Sequence, residues 1–542
     1  MAMDFVYFGV AVVAVLLLKR IGTLLYGQGS SLPLPPGPSQ IPLIGNAHQI
    51  PKGQPWLYFH DLSKQYGPVV YLNMAGQSVI ITSSLNATQA LLSKRGGQYS
   101  ERPRMVVAGE LATKGLHMLL RPYDTAYRQH QKLEAKVLNI RAAINYRTLQ
   151  DLEAKQLLFD LLTSCDSAGE KGVDFNRWFE RMTASNIYAL LYGYRLRTGL
   201  EQELVHAKYV QTEAVKKIQM GANLADLYPA LNYLPAVLAP WKSEAEALWQ
   251  LEINLHMGNM KRGFASPGWN FTKHMKASKE AEDMSPEELA FDLGILADAA
   301  LDTSTMTLDW LIVAWLTEDK AFVTRAQRFL DEVVGRDRLP QFEDQSQLPY
   351  ITAIVHETMR WRPAVPGGVP HRYGGKTDDE YNGYRIPSGS IVLGNHWSIA
   401  RDESVYGHNT DAFIPERWLI GKDSDTGHKL NDGIKDMYDP GFGFGRRVCT
   451  GQHIARNMLF ITIARLLWAF DVEPAVTDRG ERLTIDPMTS TLGFAVRPRP
   501  FNAIFRPRGP WVQNIIQKEC STHSVDLASM LNRAAAEKIV KA

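Results

Sequence analysis

The order of apolar and polar positions divides the chain into long helical stretches with a few short extended ones. The longest helical pattern runs from Pro286 to Trp315, with Ser285 before it as a cap and Glu287 and Glu288 in its first turn. Acid belongs there, beside the free backbone N–H groups and the positive end of the helix dipole. A second long apolar helix covers Ile454 to Phe470. Shorter helices are predicted over Trp56 to Tyr66, stopped by Gly67 and Pro68, and over Leu85 to Lys94. Arg121 to Ile140 contains a further helix carrying Arg128, His130, Lys132 and Lys136. Val69 to Leu72 and Ser78 to Thr82 read as a hairpin. Asp379 to Pro387 and Ile391 to Asn395 read as short strands, with Asn382-Gly383 as a turn signal. A small β component inside a helical chain predicts a mainly α fold with small β-sheets.

The ends carry different patterns. Phe5 to Leu18 is an unbroken apolar run with Asp4 before it and Lys19 and Arg20 after it. A cleaved signal would carry its positive charge first, so the run reads as an uncleaved transmembrane anchor over residues 1–28, with the bulk of the chain in the cytosol. Residues 29–40 are a proline-rich hinge, stiff in the polyproline conformation. A globular domain then spans 41–508, and a polar helical tail spans 509–542. Within the domain, Ala222 to Trp241 is apolar and aromatic but broken by Pro229, Pro235 and Pro240. It fits a core segment and a loop dipping into a membrane interface equally well.

At 542 residues with a net charge of +2, the chain can bury a large core, and without a basic run it gives no sign of nucleic-acid binding. Three cysteines exclude a disulfide framework and fit a reducing compartment. Cys165 and Cys520 read as small buried hydrophobes. Cys449 differs. It closes the stretch Phe442, Gly443, Phe444, Gly445, Arg446, Arg447, Val448, Cys449 and is followed by Thr450, Gly451 and an apolar helix. Glycines let a backbone approach a flat ligand, and a helix start lowers a thiol pKa. Arg447 stands two residues away to meet an acidic group on that ligand. His453 lies close enough in sequence to raise zinc, but a closed zinc site would need two more ligands. The glycines form no dinucleotide fingerprint, because no strand–turn–helix surrounds them.

The ten residues from Phe442 to Gly451 resemble the haem-binding signature of the cytochrome P450 family, matching it at every fixed position. The resemblance extends from the proline stretch to Phe501 and is closest to the microsomal branch of filamentous fungi. It implies the cytochrome P450 fold and haem b, with Cys449 as the thiolate ligand of the iron, and Phe442, Gly443 and Arg447 in contact with the cofactor. Ala299, Ala300, Leu301, Asp302 and Thr303 resemble the family's acid–alcohol pair on the oxygen-binding helix, which makes Asp302 and Thr303 the catalytic proton relay. His371 resembles a propionate ligand. The family's usual tryptophan and arginine on the 121–140 helix are Tyr127 and Gln131 here, leaving Tyr127, His130 and Lys132 as alternative propionate partners. Glu357, Arg360 and Arg417 resemble the family's structural ion-pair set.

The resemblance further implies a monooxygenase that inserts one oxygen atom from dioxygen into a hydrophobic small molecule, in secondary-metabolite biosynthesis. No nucleotide or flavin motif is present, so NADPH would act only through a partner reductase. The expected location is the endoplasmic reticulum membrane, with the catalytic domain facing the cytosol. Two other readings stay open. One is a haem-thiolate isomerase or dehydratase needing no reductase, and the other is a non-catalytic haem-binding protein.

Overall fold

In the computed structural model the described residues are 32–219, 222–420, 429–431, 440–520 and 526–536. The predicted anchor, residues 1–28, lies outside them, and no described helix is long and apolar enough to cross a membrane.

The organising element is the helix Pro286–Thr317, 32 residues long. Its cap forms as predicted, with the Ser285 hydroxyl accepting the Glu288 N–H at 3.1 Å and Glu288 accepting the Ser285 N–H at 3.0 Å. A helix apolar on nearly all sides must be enclosed by others. Here the helices Phe175–Tyr192, Pro240–Ala265, Pro349–Trp361 and Gln452–Ala469 pack around it. The C-terminal half joins a core with Trp361, Trp468 and Leu158, and the N-terminal half joins one with Tyr188, Phe271 and Ile454.

The main sheet has four strands in the order Val69–Met74, Gln77–Thr82, Ile391–Gly394 and His371–Arg372. The first and last pairs are antiparallel and the middle pair is parallel. Both predicted hairpins form. Ala75-Gly76 (φ 53° and 97°) and Asn382-Gly383 (φ 51° and 79°) turn with positive φ at both positions, matching the twist of the strands.

Buried ion pairing ties the helix Pro349–Trp361 to the loops beneath it. Arg360 grips Glu357 through two bonds of 2.7 Å, and Arg417 reaches the same carboxylate at 3.1 Å. The Trp418 indole and the Ile414 N–H also donate to it, at 2.9 and 2.7 Å. Each arginine spends its remaining donors on loop carbonyls, Arg360 on Ala400, Thr410 and Ala412, Arg417 on Tyr406 and Asn409.

The structure adds detail to several expectations. The described part of the proline stretch is docked: the Pro33 carbonyl accepts the Arg385 N–H at 2.8 Å and Pro36 accepts Tyr71 at 3.0 Å. Its unpaired carbonyls complete the sheet edges. Leu85 to Lys94 is one helical turn followed by a wider π-helical turn, Gln89–Lys94. In Ala222 to Trp241 the prolines allow only short turns, and Tyr233 and Val237 stand 91% and 93% exposed, which a core segment would not permit. The tail is not separate. Helix Pro510–Cys520 buries Val512, Ile516 and Cys520 in the main core, and Leu527–Ala536 buries Leu531 in the second.

Candidate active site

The cysteine loop is closed by the Phe442 carbonyl, which accepts the Cys449 N–H at 2.8 Å. Gly443 turns with φ 76°, and Gly445 with φ 59° sits so close to the Gln89–Lys94 turn that a Cβ would lie 2.1 Å from the Leu92 carbonyl oxygen. Only glycine seats the loop there. Gln131, which stands where the resembled family usually carries an arginine, donates to the Arg446 carbonyl at 3.1 Å. Phe442 packs on the main core with the Arg456 guanidinium 5.0 Å from its ring. Cys449 then precedes the helix Gln452–Ala469, whose free N–H end favours a thiolate.

The thiol is exposed, yet Ile454, just inside the helix, is buried in the same apolar cluster as Ala297 and Leu301 of the central helix. The central helix has the matching feature. From Leu289 to Trp315 it is buried except at its middle, where Ala299 and Thr303, one turn apart, are exposed, with Leu296, Asp298, Ala300, Asp302 and Ser304 half-buried. Accessible side chains within packed elements mark an internal space, and the Cys449 thiol and Thr303 are both accessible in this way.

A second group of residues contributes positive charge. Arg447 donates to the carbonyls of Ser100 at 2.9 Å and Arg121 at 2.7 Å, and its guanidinium lies 3.7 Å from the Tyr127 ring centre. Arg102 is buried beside it, donating to Leu119 at 3.0 Å and Pro370 at 2.5 Å. Burial, and after it the nearby Arg447 charge, pushes Arg102 down to about 9. His371 is buried at the same place, its Nδ1 2.7 Å from the Tyr99 carbonyl. Burial first and Arg102 second hold it well below its ordinary pKa, so the ring is neutral, with Nδ1 as donor. Neither arginine forms an ion pair among the described residues. A buried and a half-buried guanidinium group without carboxylate partners are costly unless a ligand brings the anion.

The structure therefore brings Tyr127, Arg447 and His371 together and adds Arg102, which no local sequence signal marks. It does not bring in Lys132, which lies exposed on the outer face of the helix Thr125–Leu138 near Glu280. Helical periodicity turns positions 127, 130 and 134 inward and leaves 128, 132 and 136 outside. His130 is buried but is held by Asp292 of the central helix, 2.6 Å away.

Thr303 donates to the Ala299 carbonyl at 3.0 Å and remains open to the internal space. Asp302 is bonded by Arg497 at 2.8 Å, and the same guanidinium reaches Glu180 at 2.8 Å. Burial raises the Asp302 carboxyl above its usual range, and Arg497 partly offsets that.

An exposed thiol at a helix start, accessible side chains midway along the central helix, and two arginines lacking an acid fit a planar group that bears carboxylates and takes a thiolate on its metal. Haem is such a group. Cys449 would hold the iron, and Arg102, Arg447, His371 and Tyr127 would hold the propionates.

The comparisons with known proteins agree with that fit. Residues 35–505 match the family model described as Cytochrome P450. The chain is 37% identical to the cytochrome P450 monooxygenase aneD of Aspergillus aculeatus, over 96% of this chain and 98% of that one. It is 36% identical to the monooxygenase FrzL of Cladobotryum, over 93% of each chain. It is 35% identical to drtD of Aspergillus calidoustus, over 94% of this chain and 92% of that one.

Proposed function

This chain belongs to the cytochrome P450 family, and from that premise we propose a haem-dependent monooxygenase that inserts one oxygen atom from dioxygen into a hydrophobic small molecule. Electrons come from NADPH through a partner reductase, and the enzyme works at the cytosolic face of the endoplasmic reticulum membrane. Likeness to monooxygenases of filamentous fungi supports a place in secondary metabolism. When bound, haem supplies dioxygen activation, with the thiolate donating the electron density that favours O–O cleavage.

The observation that carries the reading is the exposed Thr303 hydroxyl next to Asp302 on a helix otherwise buried. Protons must reach an apolar pocket from which bulk water is excluded. The Thr303 Oγ1 holds its proton on the Ala299 carbonyl and can turn it toward a reacting oxygen. Asp302 has a raised pKa and a bond to Arg497, so it can take up and pass on a proton without leaving the helix. A rearranging enzyme would have no use for such a relay.

Thr303→Ala is expected to leave haem content and substrate binding unchanged while diverting most of the NADPH consumed into hydrogen peroxide. Peroxide and product measured in the same reaction check this. Full coupling in the variant removes Thr303 from the mechanism, and product formed without reductase removes the monooxygenase reading.

Reductase docking is supported by the outer face of Thr125–Leu138, where Arg128, Lys132 and Lys136 stand exposed with Arg446 nearby on the cysteine loop. Complementary charge speeds encounter and is weakened by salt. Reversing Lys132 and Lys136 to glutamate should slow haem reduction at low ionic strength by about tenfold without altering substrate binding. Unchanged reduction kinetics would exclude this face.

A further inference from the structure

Above the exposed stretch of the central helix lies a second buried cluster with the opposite charge imbalance. Gly294 lets the His256 ring, from helix Pro240–Ala265, lie directly on the central helix: a Cβ there would fall 2.1 Å from Nδ1. The ring is held edge-on to Phe291, centroids 5.0 Å apart, and its Nε2 points at Asp298, one helical turn on, at 3.9 Å. That is too long for a hydrogen bond. His256 is 1% exposed and its Nε2 has no partner. Glu252, one turn earlier on the same helix, is 2% exposed, and its Oε2 has none either. Burial, and after it the Asp302 carboxyl, lifts Asp298 up to about 7, and burial, and after it Asp298, lifts Glu252 up to about 8. Burial holds His256 down to about 3 and the neighbouring His117 down to about 4, so both imidazoles are neutral. No lysine or arginine pairs with Glu252 or Asp298 among the described residues.

Asp298 is crowded by protein, yet 20% of its side chain remains accessible. It precedes Ala299 directly and stands five residues before Thr303, about 7.5 Å along the helix axis. We propose that Asp298, Glu252 and His256 form the specificity site for a substrate bearing a basic amine, which binds at the Asp298 carboxyl beside the unpartnered His256 Nε2 while the apolar remainder extends toward Thr303. This rests on the monooxygenase reading above for what happens to that remainder. An entering ammonium lets one carboxyl ionise, its proton passing to solvent, and turns an unpaired acid into a compensated pair. His256 accepts or donates in whichever tautomer the ligand requires. A metal ion is the poorer occupant, because Asp298, Glu252 and His256 do not converge closely enough to hold one.

The haem-loaded protein is titrated with dimethyldodecylamine, its uncharged carbon counterpart isopentadecane, and tetradecanol, reading the spin-state shift of the haem. The amine should bind about tenfold more tightly than isopentadecane, the range expected for one charge-assisted hydrogen bond. Asp298→Asn should erase that preference and leave isopentadecane affinity as it was. Glu252→Gln, the second variant, should reduce the preference if Asp298→Asn fails to take up haem. Equal affinity for amine and hydrocarbon, equal affinity for amine and alcohol, or a preference surviving both substitutions overturns the site. A spectrum of nitrogen ligated to iron does so as well. The carbon monoxide band of the same sample separates the two readings: with the band present, such a result sinks the amine site alone. With the band absent the monooxygenase reading falls, and the amine preference is read from fluorescence quenching, since Trp249 stacks on Phe291 at 5.3 Å beside His256.

Discussion

A Cys449→Ala protein is expected to lose the long-wavelength Soret band of the reduced carbon monoxide complex completely. The expectation follows from where the three cysteines lie. Cys449 is exposed to the internal space at a helix start, whereas Cys520 is buried and its thiol is pushed up to about 12 by that burial. Cys165 is also raised by burial. Only a thiolate can ligate, so Cys165→Ala and Cys520→Ala should keep the band. Arg102→Leu should keep it too while lowering haem retention, because the thiolate remains and one propionate partner is gone. Difference spectra of the purified variants decide both points, and a band surviving in Cys449→Ala would end the assignment.

Glu357→Ala is expected to be the most destructive change away from the cofactor. The carboxylate accepts from Arg360, Arg417, Trp418 and the Ile414 backbone, and both its side chain and that of Arg360 are fully buried. Removing one member of a buried ion pair costs about 3–5 kcal/mol, because the charge left behind has neither water nor partner. Two guanidinium groups would be stranded here, against a total stability of about 5–15 kcal/mol for a typical domain. The expected result is little soluble protein and no haem uptake. Thermal unfolding against the wild type measures it, and a melting temperature within a few degrees of wild type would show that the pairs are dispensable.

Which features could be read in advance depends on how local their causes are. The cysteine loop is specified by residues that touch one another in sequence, and the two hairpin turns by dipeptides. The buried and exposed sides of Thr125–Leu138 follow from periodicity, which should have placed Lys132 outside with Arg128 and Lys136. Arg102 had no such cue. What marks it is the lack of a carboxylate in a space assembled from residues 99–127, 370 and 447, and that appears only when the chain is folded. The same holds for Arg497, bonded to Asp302 from 195 residues away. It holds for Asp298, whose isolation depends on Gly294 admitting the His256 ring. The tail read as polar because only one narrow stripe of each helix is apolar, and a short stripe does not reveal what it will cover.

That tail also sets an order of events. Val512 and Ile516 share a core with Leu158 of the helix Arg147–Ala168 and Leu466 of the helix Gln452–Ala469. Arg465 bonds Asp151, and Lys155 meets Glu519 at 3.7 Å. Chains emerge from the ribosome N-terminus first, and contacts so far apart in sequence form last. Helix Arg147–Ala168 must therefore wait, its apolar side uncovered, while more than three hundred further residues are made. The main core closes only once residues 510–520 have been made, so a chain cut short before them yields an open molecule, not a slightly shorter enzyme.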